Sequence, residues 1–191
     1  MEFLVTTSTA TAKPVAPAFD ATRTVEYFGV VNYATNERVL EEVRELYQEN
    51  PDEEIILSIT SAGGPSGSAM GFYDHIRYIL RPKLITVGSG DVDSSGVILL
   101  QAGDTRYVTP HTTMLLHAAG RTFDGNQRYT AHEVEAMLTE DRLKDSLYAS
   151  IIAERSNGRL STEQVQELME RTTVLTPSEM LRYGLVDAVL F

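Results

Sequence analysis

The 191-residue sequence is 42% apolar, enough for one sizeable core and too short for two typical domains. Its formal charge of −11 argues against nucleic acid or an anionic membrane surface as principal partner, because the field of the whole molecule repels polyanions. The chain has no cysteine, which excludes disulfides, thiolate metal sites and a cysteine nucleophile. No apolar run approaches the roughly 18 to 20 residues that span a bilayer. The N-terminus lacks the basic start and apolar centre of a secretory signal, so a cytoplasmic location is expected.

Residues 1–23 are rich in Thr, Ala and Pro and read as a flexible N-terminal arm; residues 24–191 read as a single domain. Thr24 to Tyr33 suggest a first strand, or a bent pair with Gly29 at the bend. Val39, Leu40, Val43, Leu46 and Tyr47 recur at helical spacing from a cap at Thr35 or Asn36, and Asn50-Pro51 stops that helix. Glu54 to Thr60 follow as a strand, the β-α-β order of a parallel sheet. Ser61-Ala62-Gly63-Gly64-Pro65 opens a second helix, which breaks at Pro82. These glycines permit a tight crossover, or let the backbone approach a ligand and donate N–H groups to it. No Lys follows at the place a phosphate loop requires.

The unit then repeats. Leu84 to Gly90 read as a strand, Asp91 to Ser95 as a turn and Gly96 to Ala102 as a buried helix, so two glycine-bearing turns fall at the same carboxyl edge of adjacent parallel strands. Ligands bind at that edge in open α/β sheets. Thr105 to Val108 and Thr112 to Leu116 are strands on either side of Pro110, the second running into His117. A polar loop, Gly120 to Arg128, precedes the longest helix, which is capped by Thr130 and Glu133 and ends near Asn157-Gly158. At the standard rise it is roughly 40 Å long and is expected to overhang the domain and pack on another subunit. Ser161 with Gln164 and Thr176 with Glu179 cap two further helices. Gly184 ends the last of these, and Leu185 to Leu190 close the chain as a strand.

Two serines, Ser94 and Ser95, stand at the corner where a strand turns into a buried helix. That geometry exposes a hydroxyl and aims helix N-terminal N–H groups at whatever it attacks; it is also how an ordinary Ser-capped helix begins. Only four histidines are present. His75 lies mid-helix, His111 in a turn, and His132 in the first turn of the long helix, where the dipole disfavours a cation. His117 ends an apolar strand and precedes Ala118-Ala119-Gly120, small neighbours that leave its ring room to reach a site.

The segments SxxGG at Ser61 to Gly64, MGFYDHIRYI after it, the Gly90-to-Gly103 turn and helix, PHTTMLLH ending at His117, and LTPSEMLRYGLVDAV near the end resemble the proteolytic subunit of Clp proteases in order and spacing. The resemblance covers about Thr24 to Leu190. It implies an α/β fold of the ClpP/crotonase-like kind, a spiral of repeated β-β-α units with a protruding long-helix handle. It also implies a serine endopeptidase that cleaves unfolded polypeptides inside a ring-shaped chamber. Carried onto this chain, the resemblance places the nucleophile at Ser94, the base at His117 and the oxyanion-hole N–H groups at Gly64 and Ser95. It implies no cofactor and no metal. The implied partners are a polypeptide substrate, identical subunits in heptameric rings that stack as a tetradecamer, and a AAA+ unfoldase.

The chain departs from the family pattern at several points. Thr172 occupies the place of the third triad member, an aspartate, and can orient an imidazole without supplying charge. The turn before Ser94 is acidic, Asp91-Val92-Asp93, and Ala118-Ala119 follows His117 where Gln-Pro is common. The link from Gly103 to Pro110 is short, and the arm before Thr24 is unlike the family's axial loop, which bears on unfoldase docking. Two alternatives therefore stand beside the endopeptidase: a weakly active or inactive paralogue that builds or regulates a ring, and a crotonase-fold acyl-CoA enzyme.

Overall fold

Residues 17–123 and 125–191 are described by a computed structural model. Runs of β-branched and aromatic residues form its strands, since such side chains pack well on a pleated, half-buried surface. In chain order the strands are β1 (Thr24–Phe28), β2 (Ile55–Ser61), β3 (Leu84–Val92), β4 (Thr105–Val108), β5 (Met114–Leu116), β6 (Thr173–Leu175) and β7 (Ala188–Val189). The helices are α1 (Tyr33–Glu49), α2 (Ser66–Asp74), α3 (Ser95–Gln101), α4 (Ala131–Arg155), α5 (Thr162–Glu170) and α6 (Pro177–Arg182). Five strands make one parallel sheet in the order β1-β2-β3-β4-β7, and β5 pairs antiparallel with β6. β2, with Ile55, Leu57 and Ile59 fully buried, lies between β1 and β3; such apolar continuity suits a parallel strand covered on both faces.

The expected crossovers are present, with shifted boundaries. β1 ends at Phe28, Gly29 turns the chain at φ +114°, and α1 starts at Tyr33 with Asn32 as its cap, accepting from the Thr35 N–H at 2.8 Å. Asn36, one of the two expected caps, is instead inside the helix and buried. Its Oδ1 accepts from the Tyr27 hydroxyl at 2.7 Å and its amide donates to the Ser68 carbonyl at 2.8 Å, so its polar groups are satisfied without a cap role. The second helix reaches Leu80 as expected, but by a π-helical stretch, His75–Leu80, closed by Arg81 in the left-handed conformation. The end of the expected arm is docked: Ala21–Arg23 form a single 3-10 turn, and the buried Arg23 donates to the carbonyls of Leu46 and Asn50. The apolar cluster Phe3-Leu4-Val5 lies outside the described residues.

Three capping boxes, at Thr130/Glu133, Ser161/Gln164 and Thr176/Glu179, start α4, α5 and α6 as their spacing requires. α4 buries Tyr148, Ala149 and Ile152 near its C-terminal end, while Val134, Leu138, Leu143 and Leu147 stay exposed. Arg106 is 2% exposed, and each of its three guanidinium nitrogens is hydrogen-bonded. Its guanidinium grips Asp187 with two N–H groups and donates to Gln101 Oε1 at 2.6 Å and the Arg155 carbonyl at 2.7 Å. This fork ties α3, β4, the end of α4 and the C-terminal segment together.

Candidate active site

The site begins with how β3 ends. The strand runs past Gly90 to Val92 because the segment before β5 pairs with it: Val92 N–H donates to the Thr113 carbonyl at 3.0 Å and Thr113 N–H to the Gly90 carbonyl at 2.9 Å. Asp93 N–H then turns the other way, to the Ser61 carbonyl at 2.9 Å, and Ser94 N–H turns back to the Leu115 carbonyl at 2.8 Å. Held from both sides, Ser94 adopts φ 54° and ψ −123° and α3 starts at the next residue. A non-glycine residue with positive φ is uncommon, and such strain collects at functional corners where the surroundings enforce it.

Gly63 makes room for the corner. A Cβ there would lie 2.6 Å from Ser94 Cβ and 2.9 Å from the Asp93 carbonyl oxygen, and its φ is +94°, so only glycine fits. Ser95 clips the two turns together, its buried hydroxyl donating to the Gly64 carbonyl at 2.6 Å. Among the described residues, the N–H groups of Gly64 and Ser95 have no hydrogen-bond acceptor. The second belongs to the first turn of α3, where no carbonyl of the helix reaches it. The Ser94 carbonyl accepts from the Tyr148 hydroxyl at 2.8 Å, which anchors the corner to α4; burial pushes the Tyr148 phenol well above its ordinary value.

A cavity of about 360 Å³ opens onto this corner, and Gly64, Ser94, Ser95 and His117 all line it. The His117 Nδ1 lies 2.7 Å from the Ala118 carbonyl oxygen. A carbonyl only accepts, so this contact selects the tautomer with the proton on Nδ1 and leaves the Nε2 lone pair free. Thr172 is not brought to the cavity. It is exposed on the turn after α5 at φ 51°, with its N–H on the Met169 carbonyl at 3.0 Å, and no hydrogen bond joins it to His117 among the described residues. His75 is half-buried in the π turn, and His111 and His132 are exposed, away from the cavity.

Two further features were not legible as a pattern in the sequence. Asp93 Oδ1 accepts from the Leu115 N–H at 2.8 Å, on the strand that ends at His117. Burial holds its carboxyl above the ordinary carboxylate range, partly opposed by the Leu115 hydrogen bond, with Asp91 pushing further up and His117 pulling down. The opposite wall is charged. Arg121 bridges Glu140 at 2.6 Å and Asp141 at 2.7 Å, and Lys144 meets Glu140 at 2.5 Å. Those bonds from Lys144 and Arg121 hold the Glu140 carboxyl down at about 2.

A serine on a strained strand-to-helix corner, a histidine in the same cavity and two free N–H groups beside them are the parts serine hydrolases use. Residues 8–191 match the family model described as Clp protease, and the chain belongs to that family. Its mixed α/β architecture, with a mostly parallel sheet and six helices, agrees with the expected fold. Membership supports a Clp-type serine protease. No helix among the described residues is long and apolar enough to cross a membrane.

Proposed function

We propose that the chain is a serine endopeptidase subunit in which Ser94 is the nucleophile, His117 the general base, and the N–H groups of Gly64 and Ser95 the oxyanion hole. Ser94 Oγ attacks the peptide carbonyl carbon as His117 Nε2 takes its proton. The two N–H groups receive the oxyanion, and the imidazolium returns the proton to the leaving amine. Water, deprotonated by the same histidine, then releases the acyl group from Ser94. The observation that carries this reading is the backbone of Ser94, held at φ 54° at the mouth of a cavity shared with His117. The exposed apolar residues of α4, Val134, Leu138, Leu143 and Leu147, support assembly with further copies into a stacked ring whose chamber admits unfolded chains.

A second reading, a weakly active subunit that serves a ring structurally, is favoured by Thr172, whose side chain makes no bond to His117. Labelling with a fluorophosphonate separates the two. Wild type and Ser95→Ala are expected to label and Ser94→Ala is not; full labelling of Ser94→Ala refutes the nucleophile, and an unlabelled wild type in every assembly state favours the structural subunit.

A further inference from the structure

Resting on the peptidase reading, we propose that the cavity in front of Ser94 selects substrates carrying a basic side chain, Lys or Arg, next to the scissile bond, and that Asp145 is the residue that recognises it. Among the described residues, no Leu, Ile, Val, Met or Phe lines this cavity. Its far wall is instead one face of α4, where Asp141, Lys144, Asp145 and Tyr148 stand at spacings that place them side by side. Tyr148 already donates its hydroxyl to the Ser94 carbonyl. Asp145 is one turn earlier on the same face and lines the same cavity as Ser94.

The charges on this wall differ in what they are already bonded to. Arg121 is committed to Glu140 and Asp141, and Lys144 to Glu140. Asp145 accepts one hydrogen bond, from the Ala119 N–H to Oδ1 at 2.8 Å, and no cation lies within ion-pair distance of it among the described residues. Three carboxylates thus face two cations, and the carboxylate left over is the one whose second oxygen is uncommitted. An entering guanidinium or ammonium gains that oxygen as a partner, and such a charge-assisted bond is stronger than a neutral one. An acidic side chain finds the cations already paired, and a large aliphatic one desolvates four charged groups for no apolar contact. The chain's formal charge of −11 adds attraction for basic segments during encounter.

The test uses the full chain in its assembled state and fluorogenic peptides identical except for Arg, Lys, Leu or Glu before the cleaved bond. The Arg and Lys peptides are expected to exceed the Leu peptide in kcat/KM by about tenfold, and the Glu peptide to be poorest. Asp145→Asn keeps an amide oxygen for the Ala119 N–H and removes the charge; its Arg-to-Leu ratio is expected to fall towards one. A Leu or Glu preference in the wild type overturns the proposal, as does an unchanged ratio in folded Asp145→Asn. Fluorophosphonate labelling of the same samples tells the two levels apart: labelling at Ser94 without a basic preference defeats the specificity alone, whereas no labelling and no cleavage of any peptide defeats the peptidase reading and this inference with it.

Discussion

The Ser94 corner and the His117 end of the site are built in opposite ways. Around Ser94 the chain is held by backbone hydrogen bonds, from Asp93 to β2 and from Ser94 itself to β5, and Gly63 leaves no spare volume. His117, by contrast, follows a three-residue strand, and among the described residues its ring bonds only to the carbonyl of its neighbour Ala118. The contrast separates two requirements of acyl transfer. The nucleophile and oxyanion donors need fixed geometry, which a packed core supplies. The base needs a tautomer and a direction, and here the Ala118 carbonyl supplies the first without the charge a carboxylate would add.

The corner is the part most easily broken. Gly63→Ala forces a methyl into the Ser94 side chain at φ +94° and is expected to lower stability by about 2 to 4 kcal/mol and kcat/KM by at least about a hundredfold. Thermal melting and peptide cleavage measure both. Gly71→Ala, in α2 where an added Cβ meets nothing within 4 Å, should instead raise the melting temperature slightly; equal damage from both would show that the corner is no tighter than the rest of the fold.

Position 172, on the base side in sequence only, is expected to affect stability and not catalysis. Thr172 is β-branched at φ 51°, a conformation aspartate tolerates better. Thr172→Asp should therefore stabilise the chain by roughly 0.5 to 1 kcal/mol and, like Thr172→Ala, leave the rate of peptide cleavage unchanged, because the residue is not brought to the cavity. A folded Thr172→Asp that cleaves faster would show that a carboxylate at this position reaches His117.

The smallest effect concerns Asp93, between the two halves. Its carboxyl is raised in the folded state, chiefly by burial, so the native chain holds this proton more tightly than the unfolded chain does. Stability attributable to this group is present at low pH and is lost as pH rises from the ordinary carboxylate range through the raised value. Asp93→Asn keeps an acceptor for the Leu115 N–H and should be more stable than wild type at neutral pH by less than about 1 kcal/mol, given partial exposure. The gain should vanish in acid, and melting curves across pH would show it; a gain that persists in acid would place its cause elsewhere.

What depends on neighbours along the chain can be read from the residues in order. The alternation of strands and amphipathic helices, all three capping boxes and the glycine-bearing turns at β2 and β3 were legible because caps, turns and periodicity are short-range effects. So was the pairing of those two turns at one sheet edge, which follows from parallel β-α-β order. The rest follows from contacts between segments far apart in the chain. β6 needs β5, more than fifty residues earlier, to become a strand, and Asn36 becomes a buried bridge instead of a cap because Tyr27 and Ser68 converge on it. The charged wall of the cavity appears only when α4 is laid across the Ser94 corner. Ser94 was visible as a serine before a helix, but its strained backbone comes from β2 and the approach to β5 pulling the chain from opposite sides, a constraint no local pattern encodes.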